Sequence, residues 1–366
     1  MNPKEILPER IKKILIIQIA GIGDLVLATP TLRAVRERFS QSHITLLINS
    51  RAKEIIVGSA FVDEVLTLDF DKHSNFFSFL MPRNFIEILR LLKKLREKHF
   101  DMTINLFALV RIRGVIRMAL LSYLIGAKYR VGRDTERRGF FLNIKVPERR
   151  KSAKHEVERN LDIARILGAE IKDKRLEIYV SEEDRRYVSD FFRQNQIADD
   201  SFVIGLNPGA SIPSHLWAKE KFANLADELA RRYQAKIVIT GGKNEIELAG
   251  QIAGMMQVKP IIAAGRTTLK QFSVLIERCN LFIANLTGAM HMAVAVKTPL
   301  IAIVGSYTQR YLPYGYTDRS IVIKKDVSCS PCYKLRCKRH TCMKLITVED
   351  VLQTAYKLLG NSQNRF

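Results

Sequence analysis

The chain has 366 residues, 47% of them hydrophobic, and carries a formal net charge of +22 at pH 7. This length is too great for one ordinary hydrophobic core and suits two α/β domains. The charge predicts attraction to a polyanion such as nucleic acid or anionic lipid, although charge also serves solubility. Four of the five cysteines cluster late in the chain, which excludes the disulfide framework of a small secreted domain.

The first half of the chain alternates between predicted strands and helices. A β-branched run from Ile14 to Ile19 leads into a Gly-rich turn and a helix that continues to about Phe39. The other elements predicted here are strands at 43–49, 65–69 and 102–106, helices at 85–99 and 154–167, and a basic, apolar helix ending near 125. This alternation is typical of βαβ units and predicts a parallel sheet.

The sequence predicts no targeting or membrane-spanning segment. Met1 to Arg10 is polar and charged and lacks the apolar core of a signal peptide. The most apolar region, Leu106 to Ile125, is interrupted by Arg111, Arg113 and Arg117. A bilayer-spanning helix would not tolerate three charges across its middle, so we expect a cytosolic protein.

A polar stretch from Ser181 to Asp200 separates the two halves, and the alternation then restarts. The elements predicted after it are strands at 203–206, 236–240, 281–284 and 299–304 and helices at 219–233, after 242, at 288–296 and at 348–359. Two such series imply two parallel-sheet domains that face each other across a cleft. Ligands of these folds bind beyond the carboxyl ends of the strands, so the loops there are the candidate sites.

The turn after the first strand, Gly21-Ile22-Gly23-Asp24, presents a carboxylate near a helix N-terminus. It lacks the third glycine of a dinucleotide fingerprint, and the second strand ends in Asn49-Ser50 without an acid for a ribose, which excludes a nicotinamide cofactor. Most aspartates in such a position are helix caps. The alternative is a proton acceptor that the helix dipole keeps ionised.

Two loops in the second half are suited to an anionic ligand. Asn207 to Ser211 follows a strand and leaves backbone N–H groups available, and the only tryptophan, Trp217, comes shortly after. Thr287 and Gly288 open a helix whose backbone amides and dipole favour a diphosphate. His291 lies about one turn into that helix and can contact the same phosphate, although a histidine there is more often part of the core.

These motifs resemble, in order along the chain, those of the ADP-heptose:lipopolysaccharide heptosyltransferases, glycosyltransferase family 9. The matching segments are Lys13-Ile14-Leu15-Ile16 through Gly21-Ile22-Gly23-Asp24 with Thr29-Pro30, Asn207-Pro208-Gly209-Ala210 with Trp217, Thr287-Gly288-Ala289-Met290-His291-Met292-Ala293 with Thr298-Pro299 and Gly305, and Cys329-Ser330-Pro331-Cys332 with Cys337 and Cys342-Met343. The matches extend over nearly the whole chain, so it is identified as a member of the family.

The resemblance implies an α/β fold of GT-B type, in which two Rossmann-like parallel-sheet domains face a cleft. It predicts an N-terminal acceptor-binding domain at 1–180 and a C-terminal nucleotide-sugar-binding domain at 181–346. Residues 347–366 are expected to form a C-terminal helix that can pack back on the N-terminal domain.

The resemblance also implies an inverting, metal-independent transfer of heptose or a related sugar from a nucleotide-diphosphate donor, expected to be ADP-linked, to a lipopolysaccharide core-type acceptor. Asp24 matches the proposed general base of the family. The residues predicted to bind the donor are Gly209, Ala210, Ser211, His215, Glu245, Thr287, Gly288 and His291. The residues predicted to bind the acceptor are Gly21, Gly23, Arg111, Arg113, Arg117, Arg130 and Arg133.

The implied partners are the nucleotide sugar, the lipid A-core type acceptor and an anionic membrane surface. No cofactor is expected, because the donor carries its own leaving group. Nucleic acid is not an expected partner, since the sequence contains no helix-turn-helix, zinc-finger helix or RNP-type aromatic pair. The expected location is cytoplasmic, peripheral on the inner face of the bacterial inner membrane.

The chain departs from the family pattern at two donor-side positions. A lysine usually lies two residues before the tryptophan, where this chain has His215, and an aspartate usually precedes the Ser/Thr-Gly pair, where it has Leu286. A free imidazole is mostly neutral at pH 7, and leucine accepts no hydrogen bond. We expect an active transferase whose donor sugar can differ from heptose, with Lys219 or Lys243 as candidate sources of the missing charge. The alternative is a catalytically silent nucleotide-sugar or glycolipid-binding protein on the same scaffold.

The late cysteines, Cys329, Cys332, Cys337 and Cys342, have a spacing tighter than that of usual zinc ribbons. Four thiolates can close a tetrahedral Zn²⁺ site, but we expect reduced thiols or a local disulfide there, and no metal.

Overall fold

The computed structural model describes residues 6–69, 82–149, 152–305, 309–315, 317–330, 332 and 334–360. The chain divides into two compact units, Met1–Leu176 and Glu177–Phe366. Each unit is built around one parallel sheet, as the alternation of strands and helices predicts.

The N-terminal unit contains six strands in the order β3-β2-β1-β4-β5-β6, all parallel. The strands are β1 (Lys13–Gln18), β2 (His43–Ile48), β3 (Glu64–Thr67), β4 (Met102–Asn105), β5 (Tyr129–Thr135) and β6 (Ile144–Glu148). The helices are α1 (Ile22–Arg38), α2 (Lys53–Ile56), α3 (Pro82–Glu97), α4 (Ile112–Ile125) and α5 (Glu156–Ile166). This is the doubly wound, Rossmann-like strand order.

The C-terminal unit repeats this topology in the order β12-β11-β10-β7-β8-β9. Its strands are β7 (Val203–Asn207), β8 (Lys236–Ile239), β9 (Ile261–Ile262), β10 (Leu281–Asn285), β11 (Leu300–Ile303) and β12 (Ser320–Ile323). Its helices are α6 (Glu182–Gln194), α7 (Lys219–Tyr233), α8 (Ile246–Met255), α9 (Leu269–Glu277), α10 (Gly288–Ala295), α11 (Thr341–Lys344) and α12 (Val348–Leu359).

The central strands are apolar on both faces because helices cover both sides of each sheet. In β1 the four residues from Ile14 to Ile17 are at most 1% exposed, and in β10 the residues from Leu281 to Ala284 are completely buried. Continuous apolar runs of this kind are what made these strands predictable from the sequence.

The polar stretch that separates the two halves is itself helical. Helix α6 begins with a capping box in which Ser181 and Asp184 bond to each other's backbone N–H groups, at 2.9 and 3.2 Å. Val188, Phe191 and Phe192 are buried on one side of this helix, and its charged residues lie on the other. The stretch is therefore a strongly amphipathic helix of the C-terminal unit.

The C-terminal helix α12 contributes its apolar face to the C-terminal unit. It packs against α7, β11 and β12, and Val351, Leu352 and Ala355 are part of that unit's core. The expectation that this segment can also pack back on the N-terminal domain stays a prediction.

In the described part of the chain, no helix has both the length and the apolar composition that crossing a bilayer requires.

Candidate active site

Each sheet has a switch point, where the strand order reverses between two neighbouring strands. In the N-terminal unit these strands are β1 and β4, and in the C-terminal unit they are β7 and β10. Ligands of doubly wound sheets bind outside the carboxyl ends of the strands at this point. The loops after these four strands hold most of the residues predicted to act in the site.

Asp24 lies in the first turn of α1, directly after β1. Its carboxylate accepts a hydrogen bond of 3.1 Å from the backbone N–H of Gly21, the residue that caps the helix. The side chain of buried Gln18, the last residue of β1, donates to the backbone carbonyl of Asp24 at 3.3 Å. The half-buried carboxylate is thus held at a helix N-terminus, where the dipole favours its ionised form.

The predicted acceptor arginines differ in accessibility. Arg111, the N-cap of α4, and Arg113 are exposed, and Arg117 is half-buried. Arg130 is also half-buried: its Nε donates to the carbonyl of Phe141 at 2.8 Å, and its guanidinium lies 5.2 Å from the centre of the Tyr123 ring. Arg111 and Arg113 are therefore the best placed of these four to bind an anionic acceptor.

Arg133 has a structural environment instead. It is 1% exposed, and its guanidinium donates to both oxygens of Glu148, to Glu156 at 2.5 Å and to the carbonyl of Leu106 at 3.0 Å. Burial by itself would lower the pKa of Arg133, but the carboxylates of Glu156 and Glu148 raise it above its ordinary value. This is the environment of a structural residue, and the acceptor-binding role of Arg133 stays a prediction that its burial does not support.

In the C-terminal unit, Asn285 connects the loops at the switch point. It is completely buried at the end of β10, and its Nδ2 donates to the carbonyl of Pro208 at 2.7 Å. Its Oδ1 accepts from the backbone N–H of Trp217 at 3.3 Å. No role was predicted for Asn285 from the sequence. A buried amide at the end of a strand, between two candidate loops, was the available signal.

Glu245 lies against Gly209 in this same group of loops. A Cβ atom at Gly209 would overlap the carboxylate of Glu245, so a larger residue here would displace that carboxylate. The other side of the carboxylate accepts a hydrogen bond of 2.7 Å from the backbone N–H of Gly242. The structure therefore brings together two of the predicted donor-binding residues, while the neighbouring Ala210 is half-buried and Ser211 exposed.

Thr287 and Gly288 begin helix α10, as predicted. Thr287 is the N-cap, and its hydroxyl accepts from the backbone N–H of Ala289 at 3.2 Å. Both residues are half-buried, and His291, one turn later, is 4% exposed. The N-terminus of α10 therefore points its backbone amides to the switch-point edge, which is the arrangement that favours a phosphate.

The two positions that depart from the family pattern are in contact. His215 is 7% exposed, and its ring hydrogen-bonds the backbone of Leu286, which is 8% exposed. Burial lowers the pKa of His215 below its ordinary value; the bond to Leu286 opposes this shift and nearby His340 adds to it. This lowered pKa disfavours the protonated form of His215, so the residue is a poor substitute for the charge of the lysine that it replaces.

The late cysteines line a cavity of about 560 Å³ with His215 and His340. His340 bonds the carbonyl of Ser214 at 2.8 Å, and its backbone N–H donates to the sulfur of Cys337 at 3.3 Å. Among the described residues these cysteines are not joined by disulfide bonds. Within the described residues, no three His, Cys, Asp or Glu side chains are grouped as the ligands of a metal ion would be.

Of the two lysines proposed to supply the missing charge, Lys219 is half-buried and donates to Gln251 at 2.9 Å. It also lines a cavity of about 440 Å³ beside Pro208 and Trp217. Lys243 is exposed next to Gly242. Of the two lysines, Lys219 is therefore the one that a ligand in the adjoining cavity could contact.

The chain is similar to known proteins over most of its length. Residues 88–342 match the family model for glycosyltransferase family 9 (heptosyltransferase). Lipooligosaccharide heptosyltransferase 2 of Campylobacter jejuni is 26% identical over 93% of this chain and 96% of its own length. The crystal structure of a glycosyl transferase family 9 protein from Veillonella parvula is 25% identical, with a TM-score of 0.76 over 95% of this chain and 97% of that one.

The structure of E. coli ADP-heptose lps heptosyltransferase II has the same fold, with a TM-score of 0.73 and 22% identity over 95% of this chain and 98% of that one. These matches confirm the predicted α/β fold of GT-B type with two Rossmann-like units. The matched family model spans residues 88–342, which is more than half of the chain. The chain therefore belongs to glycosyltransferase family 9, the heptosyltransferase family, and is a glycosyltransferase.

Proposed function

We propose that the protein transfers heptose or a related sugar from an ADP-linked donor to a lipopolysaccharide core-type acceptor, with inversion and without a metal. The observation that carries the proposal is the loop group of the C-terminal switch point, where Gly209, Glu245 and the N-terminus of α10 converge. The names of the Campylobacter jejuni and Escherichia coli proteins, a lipooligosaccharide heptosyltransferase and an ADP-heptose lps heptosyltransferase, support the choice of donor and acceptor.

In the proposed reaction an acceptor hydroxyl oxygen attacks the anomeric carbon of the donor sugar. Asp24 takes the proton of that hydroxyl as the new carbon–oxygen bond forms. The bond between the anomeric carbon and the diphosphate breaks, and its electron pair leaves with the diphosphate. The amides at Thr287 and Gly288 stabilise the charge that develops on the leaving group. Glu245 accepts hydrogen bonds from the donor hydroxyls.

The acceptor is proposed to bind the N-terminal unit through Arg111 and Arg113, because lipopolysaccharide cores carry phosphates. Both side chains are exposed at the start of α4. We further propose that the protein works at the cytoplasmic face of the inner membrane, since a net charge of +22 favours an anionic surface.

We expect the pair His215 and Leu286 to determine which donor sugar is used. The test compares ADP-heptose with other nucleotide sugars on wild type, on His215→Lys, on Leu286→Asp and on the double variant. Because the two residues are in contact, their effects should be non-additive, with Lys and Asp tolerated better together than singly. A gain of about tenfold or more in kcat/KM for ADP-heptose is expected in the double variant. If wild type uses ADP-heptose efficiently and the double variant has no higher kcat/KM for it, the two departures do not affect the choice of donor.

The function itself is tested by incubating the purified protein with a set of nucleotide sugars and a lipid A-core acceptor. Donor binding is expected to raise the apparent stability in a thermal-shift assay, and product formation is expected with at least one donor. Donor binding without product under any condition would favour the alternative of a silent binding protein. That alternative is not favoured by the relatives, which are named as transferases.

A further inference from the structure

Helix α4 is apolar on its exposed face as well as on its buried one. Its buried side includes Val115, Met118 and Leu121. Its other side exposes five large apolar residues at helical spacing, which are Ile112 at 66%, Ile116 at 51%, Leu120 at 58%, Tyr123 at 55% and Leu124 at 42%. We call these five residues the α4 stripe. A surface helix of a soluble domain normally has a polar outer face, so this continuous stripe indicates an interaction surface.

The neighbouring helix α3 packs against α4 and enlarges the exposed apolar area. Ile86 is 44% exposed and Leu89 47% exposed on that helix. The surface is therefore formed by two adjacent helices of the N-terminal unit, and it is larger than one isolated apolar side chain would make it.

The charges around the α4 stripe identify what it binds. Helix α4 has no acidic residue, and its charged residues are Arg113 and Arg117, preceded by exposed Arg111. Arg90 is exposed on α3. An apolar stripe bordered by arginines matches a bilayer surface with anionic headgroups, in which the apolar side chains enter the acyl boundary and the cations meet phosphates. A second copy of the chain would bring the same arginines together across a twofold axis and repel.

The position of α4 fits the chemistry of the site. The helix begins after β4, whose carboxyl end lies beside that of β1 at the switch point. The first turn of α4 is therefore at the same sheet edge as Asp24, where a lipid-anchored acceptor would have to be presented. We propose that the α4 stripe docks the N-terminal unit on an anionic bilayer; the lipid nature of the acceptor rests on the proposed function, but the docking does not.

The first experiment measures binding of the full chain to vesicles of phosphatidylcholine and phosphatidylglycerol in a 3:1 ratio, without donor or acceptor. Ile116→Gln with Leu120→Gln is expected to weaken binding at least tenfold. The control is Ile246→Gln with Leu345→Gln, which alters two similarly exposed apolar residues of the C-terminal unit, 49% and 48%, and is expected to bind like wild type. Equal vesicle binding by wild type and the Ile116/Leu120 variant would overturn the proposal. A change from dimer to monomer in that variant, with vesicle binding unchanged, would also overturn it, because the stripe would then be an interface between two copies of the chain.

The second experiment reports insertion directly. The only tryptophan, Trp217, is 2% exposed in the C-terminal unit and supplies a constant background. Leu120→Trp is expected to show a blue shift on vesicle addition and quenching by lipids brominated on the acyl chain, whereas Ile246→Trp is expected to show neither. Absence of quenching in Leu120→Trp would overturn insertion. If the stripe inserts but no sugar transfer is found with any donor, the proposed function fails and the docking surface stands.

Discussion

Asp24→Asn is expected to lower turnover by about 10²–10⁴-fold while donor binding persists. Asparagine has the same shape as aspartate and can still accept the hydrogen bond from Gly21, so the start of helix α1 is retained. What the amide cannot do is accept the proton of the attacking hydroxyl. The measurement is steady-state turnover with the best donor from the nucleotide-sugar screen, together with a donor thermal shift on the same preparation.

Asp184→Asn is the matched control for this substitution. Asp184 occupies the corresponding position in the first turn of α6, where it accepts from the backbone N–H of Ser181 at 2.9 Å. Both variants therefore change a capping aspartate in the same way, but α6 is not part of the switch-point loops. We expect Asp184→Asn to retain the turnover of wild type. If Asp24→Asn and Asp184→Asn have equal turnover, the general base is a residue other than Asp24.

The strands at the centre of each sheet were predictable because burial leaves a clear pattern. In β1, β7 and β10 a short apolar run is followed by a loop that contains small or polar residues, and these loops hold most of the candidate site. Strand β5, which lies between β4 and β6 in the sheet, was harder to predict. In β5 (Tyr129–Thr135) the run includes two arginines and an aspartate, which single-sequence patterns assign to a loop.

The position of α6 was missed for a different reason. Its mean composition is polar, so it was interpreted as a separating stretch, although the capping pair Ser181 and Asp184 marks a helix start. Three-dimensional proximity accounts for the remaining differences. His215 contacts Leu286, and Gly209 lies against the carboxylate of Glu245, although the members of each pair are far apart in sequence. A local sequence pattern cannot predict contacts of this kind.

The environment of Arg133 shows that a positive charge in the sequence does not by itself indicate whether a side chain is accessible to a ligand. In the sequence it belongs to a basic region with Arg130, and both were assigned to the acceptor. Alternation along β5 directs Arg133 into the interior, where Glu148 and Glu156 are placed to receive it. The two acids lie further along the chain and gave no signal of this pairing. A buried cation of this kind has a large effect on stability, which can be measured.

Arg133→Met is expected to lower the free energy of unfolding by about 3–5 kcal/mol. The methionine fills part of the volume but removes the guanidinium that pairs with Glu156, whose side chain is 4% exposed. It also removes one of the two arginines that donate to Glu148, whereas Arg159 still donates to Glu148 at 2.5 Å. The measurement is urea unfolding of the full chain, and the control is Arg193→Met. Arg193 pairs with Asp190 at 3.1 Å with side chains 79% and 55% exposed, and its loss should cost less than about 0.5 kcal/mol.

A second substitution separates buried charge from lost packing. If the loss of the charge pairing with Glu156 is the cause, adding Glu156→Gln to Arg133→Met should recover part of the stability, because the glutamine side chain is neutral. If lost packing is the cause, the losses of stability from the two substitutions should add.

An acceptor-binding role for Arg133 predicts a different result for Arg133→Met, in which KM for the acceptor rises while the unfolding curve stays that of wild type. Arg133 also donates to the carbonyl of Leu106, in the loop that leads to α4, so a modest rise in KM together with destabilisation fits the structural role. A rise in KM with the stability of wild type would place Arg133 in the acceptor site.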